Sequence, residues 1–167
     1  MKKIFLAITI CAFLFGCKSN TEQSGDETAH DAKLQLTAYG NHWEVYAESD
    51  PFVVEQNANI LAHFTFLENF KPLEKGSVTA SLIIDGKVIS QTLNQPTRMG
   101  ICAFTLKPET EGEGKIIFTL KTDKGQSEIV VNNVRVYVDK HAAEHAAEDA
   151  AVVTSNAIPF TKEQSWK

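Results

Sequence analysis

Four residues near the C-terminal end of this 167-residue chain could do chemistry together: His141, Glu144, His145 and Glu148. Histidines at i and i+4 project from one face of a helix, and Glu148, three residues further on, can join them. Two imidazoles and a carboxylate suit Zn²⁺ or a similar divalent cation. His141-Ala-Ala-Glu144-His145 also fits the H-x-x-E-H string of the inverzincin metalloproteases. A catalytic zinc needs a recessed site, a third ligand and an open position. The surrounding Lys140-to-Ala151 stretch, half of it alanine, supplies no walls for one. Two readings stay open: weak contact with a divalent metal, or a solvated helix face with Glu–His pairs contributing a few tenths of a kcal/mol each. No resident cofactor is expected.

The other reactive residue types are dispersed. Of three cysteines, Cys11 and Cys17 lie at the N-terminus, and Cys102 alternates with Phe104 and Leu106, so it is expected to be a small buried hydrophobe. His42 and His63 fall on outward strand positions, and His30-Asp31 sits in a polar stretch. Tyr39, Tyr46 and Tyr137 are outward aromatics that could form a carbohydrate-stacking platform. There is no G-x-S-x-G and no Gly-rich loop between strand and helix. Sixteen Lys+Arg against twenty-one Asp+Glu give a net charge of −5, which argues against a phosphate-binding nucleic-acid protein. The expectation is a protein that is not an enzyme.

What positions these residues begins with a leader. Met1-Lys2-Lys3 precedes an apolar run from Ile4 to Phe15. Twelve residues at ~1.5 Å each cover about 18 Å, too short for a hydrocarbon core of about 30 Å but suited to a signal peptide. Leu14-Phe15-Gly16-Cys17 resembles the lipobox of bacterial lipoproteins. That resemblance implies cleavage after Gly16, a signal peptide over 1–16 and a lipid on Cys17. Losing Lys2 and Lys3 takes 16 basic residues to 14, and against 21 acidic ones the net charge becomes −7. Stable anchoring follows when two or more acyl chains are attached. Residues 17–33 are polar and small, and read as a flexible tether.

From 34 to 139 short alternating segments predict strands at 34–39, 42–48, 58–66, 77–84, 87–94, 101–107, 115–122 and 127–138. The fold class is all-β: an immunoglobulin-like antiparallel β-sandwich of about seven to eight strands, followed by a short Ala-rich helix. Asp85-Gly86 supplies a two-residue hairpin turn that sets Leu82 opposite Ile89 and Val78 opposite Leu93. Residues 109–114 and 123–125 read as further hairpin turns. Ile129 and Val131 have odd parity, and Val134, Val136 and Val138 even, so a bulge or a change of sheet is expected at Asn132-Asn133. Residues 140–158 read as an Ala-rich helix and linker, with Asp139 as N-cap and the helix lying loosely on the sandwich. Residues 159–167 begin something new.

Several segments together carry a family resemblance: the lipobox, Leu34-Gln-Leu-Thr-Ala-Tyr39, Glu48-Ser-Asp-Pro-Phe-Val-Val54, His63-Phe-Thr-Phe-Leu67, Phe70-Lys-Pro-Leu-Glu-Lys-Gly-Ser-Val78, Gln95-Pro-Thr-Arg98 and Phe160-Thr-Lys-Glu-Gln-Ser-Trp-Lys167. The chain resembles the N-terminal region of periplasmic adaptor subunits (membrane-fusion proteins) of resistance-nodulation-division (RND) efflux systems, of the heavy-metal/cation type in Bacteroidetes-like bacteria. The resemblance implies a periplasmic, membrane-anchored lipoprotein that supports export of metal cations or drugs. Its implied partners are the inner-membrane RND pump and the outer-membrane channel, or neighbouring adaptor protomers. It also implies that 159–167 is the start of a missing adaptor core, so that the chain is a fragment, a truncated frame or a free-standing N-terminal domain. Met99 is the one methionine after cleavage, which leaves soft Cu(I) sites unsupported. Two rival functions stand beside this one: a cell-surface glycan-binding lipoprotein and a periplasmic metal-binding chaperone.

Overall fold

A computed structural model of the chain describes residues 33–154, with side chains through Ala147. The leader, Cys17, nearly all of the tether and the 159–167 segment lie outside the described residues. The elements run β1 (Leu34–Tyr39), β2 (Trp43–Ser49), β3 (Phe52–Val53), β4 (Ala58–Phe66), β5 (Lys71–Pro72), β6 (Ser77–Ile84), β7 (Lys87–Leu93), β8 (Ile101–Leu106), β9 (Gly112–Thr122), β10 (Gly125–Tyr137) and α1 (Lys140–Thr154).

Strict alternation of apolar and polar residues makes each strand two-faced, and two such sheets close on one core. One sheet has the order β1-β2-β4-β5, with β8 also pairing β4; the other is β3-β10-β9-β6-β7. With β2, β4 and β8 taken as A, B and E, and β10, β9, β6 and β7 as G, F, C and C′, this is the immunoglobulin arrangement. The core is filled by Val45, Phe64 and Phe104 from the first sheet and by Leu82, Phe118 and Ile129 from the second, each at most 1% exposed. Phe118 stacks edge-on against Phe64 at 5.5 Å and lies 6.0 Å from Phe104, so one ring ties the two sheets together.

Local signals set much of this. Asp85 (φ 48°) and Gly86 (φ 78°) form the expected turn, and Leu82 faces Ile89 while Val78 faces Leu93. The parity switch is a β-bulge: β10 shifts register between Val131 and Val134, and Asn133 takes φ 57°. The extra residue restores Val134 and Val136 to the core side.

Two expectations need correction. Residues 109–114 do not form a hairpin turn: β8 and β9 belong to different sheets, so the segment crosses the sandwich, and β9 starts at Gly112. Turn chemistry is the same for both kinds of connection, so spacing alone did not separate them. Within the expected sandwich, the two-residue β3 runs parallel to β10, with Val136 beside Phe52 and Tyr137 beside Val53. And α1 is docked: Ala143 is buried and Ala147 half-buried, beside Pro51 and Val53. The small alanine side chain lets the helix backbone approach the strand loops closely, so a helix with a modest apolar face still finds a seat.

Candidate functional site

The site begins with the helix cap. The Asp139 carboxylate accepts a hydrogen bond from the Ala142 amide (2.8 Å), and its carbonyl accepts one from Ala143 (3.3 Å). These bonds satisfy amides that the first helical turn leaves without partners. Ala143 then packs inward. At 100° per residue, His141 and His145 lie about 200° from Ala143 around the axis, so docking through alanine turns both imidazoles to solvent. Both are exposed.

The two rings meet edge to face, with centroids 4.3 Å apart and Nε2 atoms 3.1 Å apart. A cation bonded to both nitrogens at about 2.05 Å would subtend an N–M–N angle of about 98°, between octahedral and tetrahedral values. The spacing therefore matches two adjacent positions of a first-row divalent ion's coordination sphere, once the proton shared between the two nitrogens is displaced. Glu144 does not join it: its carboxylate lies 3.9 Å from the Lys140 ammonium. The Glu148 side chain falls outside those described. Among the described residues no three His, Cys, Asp or Glu groups come close enough to hold a metal together. The geometry is that of a bidentate clamp whose remaining positions water would fill, and it lacks walls.

The other chemistry-bearing residues are held apart. Cys102 is fully buried, and that burial pushes its thiol up to about 11, with a weaker opposing influence from the Thr97 hydrogen bond nearby. His42 Nδ1 lies 3.2 Å from Glu68 on the surface, and the His63 ring centroid is 6.1 Å from that of Tyr46. Tyr39 and Tyr46 share the outer face of the first sheet, where Tyr39 pairs with Glu44 and Tyr46 with Thr37. Tyr137 belongs to the second sheet, so the three tyrosines do not form one platform.

At the end of the sandwich away from α1 lies a feature that sequence reasoning did not single out. β4 spans nine residues, about 30 Å, from Ala58 near the helix to Phe66. Beyond Phe66 the chain turns tightly, with the Phe70 amide donating to the Phe66 carbonyl at 2.8 Å. Phe70 takes φ 56°, a left-handed backbone that a bulky residue seldom adopts, and its side chain is 78% exposed. Met99, 67% exposed, sits on the adjoining loop. The two loops are joined where the Gly100 amide donates to the Leu73 carbonyl at 2.7 Å. Gly100 has φ 77°, and a Cβ there would fall 2.7 Å from Pro72 Cβ, so only glycine permits the approach. The sequence-level signal was the turn string Glu68-Asn-Phe-Lys-Pro72, but exposure of the ring is not written in it.

No protein-family model, curated protein or solved structure matches this chain.

Proposed function

We propose that this domain is a non-enzymatic docking module, anchored through Cys17 on the periplasmic side of a membrane, in an adaptor of an RND-type efflux system. The observation that carries the docking part of this reading is the apolar tip. Phe70 is kept in water on a strained turn, and Met99 is exposed on the loop that Gly100 ties to Leu73. Backbone strain and exposed aromatic area both cost stability, and such features persist where a partner uses them. A second support is the path of the chain. It enters at Lys33, paired with Asp50, and α1 lies over Asp50, Pro51 and Val53. Lys33 and the start of α1 therefore lie at the end of the sandwich away from Phe70. Among the described residues no helix is long and apolar enough to cross a membrane.

The test is a photo-crosslinking amino acid at position 70 in the native host, with Thr119 on the opposite face as control. Crosslinks from position 70 to an RND pump, a channel or a neighbouring adaptor would support the reading. Equal labelling from both positions, or adducts only with unrelated proteins, would end it. Mass spectrometry of the mature N-terminus reads the anchor separately: a diacyl or triacyl Cys17 is expected.

The Nε2 spacing favours a second role, transient contact with divalent cations by His141 and His145. Calorimetry with Zn²⁺, Ni²⁺ and Cu²⁺ should show binding that His141→Ala and His145→Ala each weaken at least tenfold. Unchanged heat in either variant would remove that role.

A further inference from the structure

The sandwich guards one of its free sheet edges and leaves another open. β8 is an edge of the first sheet. Its outward amides are all occupied: Ile101 donates to the Arg98 carbonyl (2.9 Å), Ala103 to Thr97 Oγ1 (3.1 Å) and Thr105 to Gln91 Oε1 (2.6 Å). β1, the opposite edge of that sheet, lies against β10, where a Cβ on Gly40 would come within 2.6 Å of the Glu128 carbonyl. β7, the last strand of the second sheet, has none of these devices. Its register with β6 is regular from Val78/Leu93 to Ile84/Lys87, without a bulge. Val88 to Leu93 contains no charge and no proline. Of the two long polar side chains in the strand, Lys87 at its start reaches Thr110 Oγ1 (2.8 Å) and Gln91 caps β8. Natural edge strands usually carry a charge, a proline or a bulge against pairing.

The two-residue turn fixes which groups of β7 are open. Ile84 and Lys87 close it as a hydrogen-bonded pair, so Leu82/Ile89, Ala80/Gln91 and Val78/Leu93 exchange the bonds to β6. The backbone amides and carbonyls of Val88, Ser90 and Thr92 then point away from the sheet. All three residues are exposed, Val88 by 59%.

We propose that β7 pairs antiparallel with β7 of a second copy of this chain, about a two-fold axis through Ser90. This inference does not rest on the efflux reading. The axis sets Ser90 opposite the partner's Ser90 and Val88 opposite the partner's Thr92. These are the residues whose backbone groups are open, and each facing pair exchanges two N–H···O=C bonds. The same register places Lys87 opposite the partner's Leu93. The two Lys87 ammonium groups are then separated by six strand positions, about 20 Å, well beyond the screening length of about 8 Å at physiological salt. No like charges face each other anywhere along the seam. The seam runs beside an open groove lined by Leu82, Ile84, Val88, Ile89 and Pro108 together with Lys87, Glu109 and Thr110. That groove gives the partner's Leu93 apolar surface to lie against. A regular edge whose two-fold register brings no like charges together accepts a second copy along its whole length.

The test uses the full chain in density-matched detergent. Sedimentation equilibrium should show reversible, concentration-dependent dimers. Ser90→Pro removes an amide that β6 does not use, so the fold is retained while the seam loses its central pair. Its dimerisation midpoint should rise at least tenfold. If Ser90→Pro perturbs thermal unfolding, Ser90→Lys, which sets two ammonium groups on the axis, serves instead. In a chain with Cys11 and Cys17 replaced by Ser, Ser90→Cys should oxidise to a covalent dimer, because hydrogen-bonded pairs lie about 5.5 Å apart at Cα, within disulfide range. Thr119→Cys on the outer face of the same sheet is the control. Monomers at every concentration, association unchanged by both Ser90 variants, or crosslinking of Ser90→Cys no faster than Thr119→Cys would each overturn the proposal.

Discussion

Replacing Phe118 by alanine tests the claim that one ring ties the sheets together. Phe118 is fully buried in β9, faces Ala80 and Ile129 in its own sheet, and contacts Phe64 and Phe104 of the other. Truncating a buried phenylalanine costs about 3–5 kcal/mol, through lost transfer energy and the cavity left behind. Two aromatic pairs lost at about 0.5–1.5 kcal/mol each place this site at the upper end of that range. A domain of this size has about 6–15 kcal/mol in total, so the variant should be folded but fragile. Urea unfolding followed by the fluorescence of Trp43, itself buried against Phe66 at 5.0 Å, reads the change. With a slope of about 1–3 kcal/mol per molar urea, the midpoint should fall by roughly 1–5 M. Phe118→Leu should cost about a third as much, since it keeps most of the volume. The cycle pairing it with Phe104→Leu should show coupling of about 0.5–1.5 kcal/mol. Phe70→Ala, at the exposed tip, should move the midpoint hardly at all. If Phe118→Ala costs under 1 kcal/mol, or no more than Phe70→Ala, the account of the core is wrong.

Other outcomes follow from the same packing. Gly114→Ala would drive a Cβ to 1.9 Å from the Ile83 carbonyl, and should cost about 3 kcal/mol or more by thermal unfolding, or prevent folding. Asp139→Ala should remove about 1 kcal/mol of helix stability, seen as faster hydrogen exchange at Ala142 and Ala143 with the sandwich amides unaffected. Cys102 titrates near 11 in the folded chain and near 9.0 when unfolded. The unfolded state therefore gains by ionising first: stability should be level below pH 9 and decline as pH rises from 9 to about 11. Cys102→Ala should flatten that alkaline limb in chemical-denaturation curves collected at several pH values.

The parts of the fold that were legible depend on neighbours in sequence. Side-chain parity in a strand has period two, so Val78-to-Ile84 and Ile129-to-Val136 announce their buried faces, and the bulge at Asn132-Asn133 shows as a slip in that parity. The Asp85-Gly86 turn needs left-handed backbone at two adjacent residues, and that pair of residues accepts it. The His141–His145 pairing was equally legible, being a matter of helical pitch. Other features depend on partners far away in the chain. β3 and β5 are two residues each, too short to show a period, and exist because β10 and β4 offer them hydrogen bonds. Whether residues 109–114 turn back or cross to the other sheet depends on where β4 and β6 lie. Glu144 was grouped with the histidines by spacing, yet the fold leaves it beside Lys140.

The amino-acid order alone settled that this chain alternates into two-faced strands and ends its β region at a capped alanine-rich helix. These are properties of pitch, pleat and hydropathy within a dozen residues. Tertiary packing alone decided which edges are sealed, where Phe70 and Met99 stand in water, and that Ala143 rather than a larger side chain seats the helix. Those outcomes turn on distances between segments up to a hundred residues apart, and no local periodicity encodes such distances.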